Sequence, residues 1–239
     1  WGTIWIRDGS LNNSLNHVSI KNARIGLWVE GGSAETSPLL ISNTQIYNSA
    51  ATGLLAQNAY INGENLVINN SGQASLHINL GGNYSFKHST FANYWVHEYR
   101  QYPAVLIENF FETPSRLGAA DLTQASFSNC VIYGNQEREL LLFEDEAAAF
   151  NFSFSNCLIK FLDPGGEFAA FPNLDLNDAR YYEKIILNQD PEFINPVQNN
   201  LRVQVNSPAR NLGNIQTALE VPFDILNNQR TQTPDLGAY

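Results

Sequence analysis

The run SFSNC occurs twice, at 126–130 and 153–157, and carries both cysteines of the chain. Taking the apolar residue two positions after each cysteine as an anchor gives Ile132 and Ile159. The same pattern recurs at Ile20, Ile46, Ile68 and Phe91, with successive gaps of 26, 22, 23, 41 and 27 residues. Five residues before each anchor stand Leu15, Ile41, Gly63, Phe86, Phe127 and Phe154. Three before stand His17, Asn43, Asn65, His88, Asn129 and Asn156; two after stand Asn22, Asn48, Asn70, Asn93, Gly134 and Phe161. Alternation around each anchor is strand periodicity. A strand of this length cannot bury one face alone, whereas stacked copies can. A period of 22–27 residues suits one coil of three short strands.

The Asn/His column predicts left-handed turn residues whose side chains bond the adjacent coil, and the later asparagines mark the turn at the other end. A second strand per coil reads as IGLWV (25–29), GLLAQ (53–57), SLHINL (75–80), AVLIENF (104–110) and ELLLFED (139–145). Gly26 and Gly53 are placed at tight turns requiring positive φ. Short helical candidates fall at 145–150 and 176–183. Cys130 and Cys157 share the inward column with Val18, Thr44, Leu66 and Ser89, and are expected as small stacked core residues. Their coil spacing would also admit a disulfide, although side chains in register point the same way.

The 41-residue gap predicts an insertion at about 94–125. Its residues Tyr94, Trp95, His97, Glu98, Tyr99, Arg100 and Tyr102 combine rings with hydrogen-bonding groups. They form either a surface on which sugars stack or an aromatic cover for a coil corner. Glu144, Asp145 and Glu146 offer hard oxygen ligands for Ca²⁺, but consecutive strand carboxylates face opposite ways and such runs are commonly solvated. Residues 1–162 are assigned to the coils, and 163–239 to the last coils and an irregular C-terminal cap of the same domain, protecting open strand edges.

A net charge of −10 with 13 basic residues leaves no basic stripe for a nucleic acid, and no apolar run is long enough to cross a bilayer. With no methionine in the chain, an upstream segment is expected before Trp1.

The columns, the run QDPEFINPVQNNLRVQVNSPARNLG and the closing PDLGAY resemble bacterial right-handed parallel β-helix repeat proteins of the pectate-lyase-like superfamily. The stretches WGTIWIRDGSLNNSLNHVSIKNARIGLWVE and SFKHSTFANYW are similar to its surface lipoproteins of unassigned function. The resemblance implies an all-β, right-handed, three-sheet solenoid, a handedness that parallel crossovers also favour. It further implies export to the periplasm, outer membrane or cell surface, upstream coils and a lipid anchor. The NTD, DD, GHG and RIK runs of related pectin hydrolases are missing, and no basic column suits a lyase. His17 and His88 belong to the turn column; His77 is expected to point outward between Leu76 and Ile78. No cofactor motif is present.

Three functions stay open: a non-catalytic β-helix binding a glycan or envelope protein, a polysaccharide lyase or hydrolase with an atypical site, and a structural subunit of an envelope assembly. The missing motifs weigh against an enzyme.

Overall fold

A computed structural model describes residues 1–31, 38–113 and 116–239. Two of the insertion's residues, 114 and 115, lie outside them. The chain is all-β with long parallel sheets, an arrangement compatible with a parallel β-helix.

Successive coils contribute strands to three columns. The first holds Ile4–Ile6, Leu27–Glu30, the start of Leu54–Glu64, the start of Leu76–Lys87, Val105–Glu108 and Leu140–Phe143, paired in that order. The second runs from Ser14–Asn16 to Tyr182–Glu183 and places Leu15, Ile41, Gly63, Phe86, Phe127, Phe154 and Tyr182 in line. The third aligns all six anchors and continues to Leu187. Because Leu54–Glu64 and Leu76–Lys87 run unbroken through two columns, the first and second fuse into one hydrogen-bonded sheet of 11 strands beside a sheet of seven.

The second-to-third link is the constant part. Phe86 to Phe91 and Phe127 to Ile132 each span five residues, with one left-handed residue at the bend. All six members of the Asn/His column adopt positive φ, from 46° at His88 to 56° at Asn129. Asparagine tolerates this region because its short amide bonds locally. In the column two residues after the anchors, only Asn22, Asn48 and Asn70 are left-handed. Asn93 instead is a buried strand end, donating to Ser71 O and Gln73 O.

Gly26 and Gly53 do not carry positive φ. They are needed for close approach: a Cβ on Gly53 would meet the Ile68 side chain and stand 2.6 Å from Ser75 O. The 145–150 and 176–183 helical candidates are also overturned. Asn109 accepts from Asp145 N and donates to Asp145 O and Ala148 O, holding the first as a turn. The second is turn and short strand; the α-helix among the described residues is Ile215–Glu220, N-capped by Asn214.

Inside, Leu27, Leu54, Leu76, Val105 and Leu140 stack with Ile41, Phe86, Phe127, Phe154 and the anchors. Phe127 and Phe154 are stacked at 4.7 Å. Both cysteines are buried free thiols in this core. Leu174 and Leu176 join it beyond Leu140–Phe143, the last strand of the first column, so the end cover comes from residues 163–181.

The C-terminal segment takes a different course from the expected end cap. It lies along the outer face of the third column, where Tyr47, Val67, Ala92, Val131, Tyr133 and Leu158 pack with Phe193, Leu201, Ala209, Leu236 and Ala238. That apolar face cannot remain in water, and covering it is the physical reason for the path. Along one border, Phe223 O accepts from Asn65, Arg230 donates to Asn65 Oδ1, and Asn214 and Leu212 carbonyls accept from Asn129 and Asn156.

His88 sits in the same border, buried, with Nε2 2.9 Å from Asn129 Nδ2. Burial, aided by the Arg230 charge, pushes its imidazole down to about 3. The unfolded chain therefore takes up a proton near pH 6.5 that the folded chain refuses. Stability is fully present above about pH 6.5 and falls as pH drops toward 3. Denaturation across pH 3–7 should show this loss, and His88→Asn should flatten it. Gly53→Ala should cost about 1–3 kcal/mol in the same assay, by overpacking.

Candidate functional site

Strand alternation turns every second residue of the first column outward. Leu76 and Ile78 enter the core, and His77 between them faces out, as its position in SLHINL predicts. In register, one outward row reads Trp5, Trp28, Leu55, His77, Leu106 and Leu141. Beside it run Glu30, Gln57 and Asn79, then Glu108 and Phe143.

Side chains on this face form a directional chain. Trp28 Nε1 donates to Gln57 Oε1 at 2.9 Å, and Gln57 Nε2 donates to Asn79 Oδ1 at 3.0 Å. Asn79 Nδ2 donates to Phe110 O at 3.0 Å and reaches Glu108 Oε2 at 3.4 Å. His77 Nε2 lies 2.8 Å from that same oxygen, with both side chains 18% exposed. The row of donors thus ends at Asn79, whose amide is shared between Phe110 O and the Glu108 carboxylate, and that carboxylate orients the His77 ring. Glu108 Oε1 and His77 Nδ1 have no partner among the described residues. Trp5 and Trp28 stack at 4.6 Å at one end, with the Arg7 guanidinium 4.9 Å from the Trp5 ring. The Tyr102 ring is 6.4 Å from His77.

The insertion is divided between two places in the coil. Phe91 to Val105 spans 14 residues where Ile68 to Leu76 spans eight, and Val105 to Phe127 spans 22 where Leu76 to Phe86 spans ten. The first extra length is the 94–104 loop; the second contains the antiparallel hairpin Phe110–Thr113 with Arg116–Ala119.

The loop does not present its candidate residues to one point. Tyr94 packs edge-on against Phe193. Trp95 and His97 touch each other and line a cleft facing the C-terminal segment. Glu98 is exposed, and Tyr99 is 87% exposed beside a second cleft with Arg138 and Phe168. Tyr102 alone approaches His77.

Arg100 is buried, so it does not offer a guanidinium to a ligand. Its Nη2 lies 2.6 Å from Glu139 Oε1 and its Nη1 2.9 Å from Glu139 Oε2. The guanidinium also donates to Asn93 O, Tyr102 O and Asn135 Oδ1. Glu139 accepts further from Ala104 N and Gln136 N. Burial pushes the Glu139 carboxyl up, while Arg100 and the two N–H groups oppose that shift. The pair fastens both ends of the loop to the coil.

Glu144, Asp145 and Glu146 lie at a turn where Asp145 Oδ1 accepts from Ala147 N. Among the described residues no group of three or more His, Cys, Asp or Glu is placed to hold a metal, and no helix is long and apolar enough to cross a membrane.

Glu108 and Glu139 were not singled out by the sequence. Aligning SLHINL with AVLIENF pairs His77 with Leu106, and alternation then puts Glu108 on the same outward face. No comparable signal marks Glu139, whose partner lies 39 residues away.

The chain matches no protein-family model, no curated protein and no solved structure.

Breaking the buried pair by Glu139→Ala should destabilise the fold by about 3–5 kcal/mol, because Arg100 is left without its counter-charge. Adding Arg100→Ala should cost less than the two single changes together; a double-mutant cycle in urea reads this coupling.

Proposed function

We propose that this chain is an exported right-handed β-helix protein of the pectate-lyase-like kind, and that it binds a glycan without cleaving it along the outer face of the first column. The reading includes three strand columns per coil, an envelope or cell-surface location and a lipid anchor upstream. The sequence resemblance supports those parts.

The observation that carries binding is the His77–Glu108 pair at the end of the chain led by Trp28. Glu108 Oε1 and, with Nε2 donating to Glu108 in the neutral ring, His77 Nδ1 are acceptors open to sugar hydroxyl donors. Both are held in place before a ligand arrives, which reduces the entropy cost of binding. The Tyr102 ring lies 6.4 Å from His77, and Trp28 offers a second ring two strands away in the same outward row.

Carboxylate spacing favours binding over hydrolysis. Glu30 and Glu108 face outward in one row, three strand spacings apart, or about 14 Å. Hydrolytic pairs stand about 5–9.5 Å apart.

Titration with neutral and uronic-acid oligosaccharides should show binding by the folded protein. Glu108→Gln or His77→Ala should weaken it about tenfold or more, the scale of a lost charge-assisted hydrogen bond. Reducing ends and unsaturated products should stay at background. Binding indifferent to both substitutions would reject this face as the site; product formation would reject the non-catalytic reading.

A further inference from the structure

His88 lies buried at the seam between the bend column and the C-terminal segment, and its neighbours fix which ring nitrogen carries the proton. Asn129 Oδ1 accepts from Asn214 N at 2.7 Å, so the other end of that amide is its N–H donor. Asn129 Nδ2 donates to Asn214 O at 3.0 Å and stands 2.9 Å from His88 Nε2. Facing a donor, Nε2 is the bare, accepting nitrogen. The ring proton then sits on Nδ1, on the side of the Asp235 and Gly237 carbonyls.

A second proton would point Nε2–H at the Asn129 N–H group. Turning the Asn129 amide over would offer Oδ1 to the ring. It would also set Nδ2 against Asn214 N and Oδ1 against Asn214 O, so both bonds to Asn214 would be lost together. Asn214 in turn caps Ile215–Glu220, accepting from Gln216 N and Thr217 N. Arg230 opposes a charged ring further. It is buried in the same seam, donating to Asn65 Oδ1, Phe223 O and Gly237 O. The other charges around the seam are engaged with partners of their own: Lys87 with Glu220, Asp224 with the Leu226 and Asn228 amides, and Asp235 with Asn211 N.

The opposite border of the segment is held by uncharged amides. Asn69 donates to Pro196 O, Asn70 to Val197 O and Asn199 Oδ1, and Asn199 to Asn48 Oδ1. These bonds do not respond to a proton, so acid acts on the His88 border.

We propose that His88 is a proton-operated latch: protonation of its ring disengages Asn129 from Asn214 and frees residues 211–238 from the bends while the coils stay stacked. Leu236 and Ala238 leave the apolar third-column face with that segment. The latch uses no residue of the His77–Glu108 face.

Hydrogen exchange read by mass spectrometry on the full chain separates this opening from global unfolding. Once the segment is free, His88 returns to its ordinary range near 6.5, against about 3 in the closed seam. Opening therefore becomes about tenfold easier for each pH unit between those values. Corrected for intrinsic rates, protection of 211–238 should fall about fiftyfold or more between about pH 7 and pH 4.5, with Val105–Glu108 and Phe150–Ser155 unchanged. His88→Asn installs the residue that Asn43, Asn65, Asn129 and Asn156 supply at the other bends, and should hold that protection nearly constant. Asn129→Asp gives an imidazolium its carboxylate partner, so protection should hold or rise toward pH 4.5. Equal loss in the coil strands, a segment that stays protected in the wild-type protein at pH 4.5, or a wild-type acid response in either variant would each overturn the inference.

Discussion

The left-handed bend between the second and third columns is the constraint on which the molecule depends. It turns the chain in a five-residue link and is met by Asn or His in six successive coils. Each bend sets the register of both flanking strands, since a slip of one residue would send core side chains to solvent. The bend also aligns the side chains of successive coils, so Asn65 can donate to Asn43 and Asn129 can meet His88. Backbone strain, register and polar satisfaction are thus settled at one position per coil. The other two corners are freer, and the added length of the Phe91–Ile132 coil falls there.

That freedom explains where chemistry gathers. The 94–104 loop leaves the coil after Asn93 and returns at Ala104, with Arg100 and Glu139 buried beneath it. A buried ion pair is a costly way to gain stability, and its use is better understood as fixing one loop geometry. Trp95 and His97 then border one cleft and Tyr102 approaches the His77–Glu108 pair on the other side. One clamp therefore sets the position of two surfaces.

The coils were legible because their residues repeat in place: the anchors, the Asn/His bend and the Phe127–Phe154 column all stand in the register that the spacing implies. His77's outward direction followed from alternation alone. Gly26 and Gly53 were placed correctly along the chain but given the wrong reason, because a close approach by Ile46 or Ile68 leaves no local mark in the sequence. The C-terminal path was hidden for a related reason. Its apolar residues reveal that it covers something, but the face it covers is assembled from strands far apart in the chain. Arg100 looked like a binding residue since its carboxylate partner lies in a different coil.

Asn199 is a rung added from outside the ladder. Its partners Asn48 and Asn70 lie 151 and 129 residues upstream, so the row cannot be completed until the last part of the chain has been made. Contacts of this separation form late, after loop closure has been met by nearer ones. Coils can stack one on the next as they emerge, but the asparagine row and the covered third-column face wait for the tail. The covered flank is consequently a sign that this segment has docked: without residues 193–238 in place, Val67, Ala92, Val131 and Leu158 would stand bare to water.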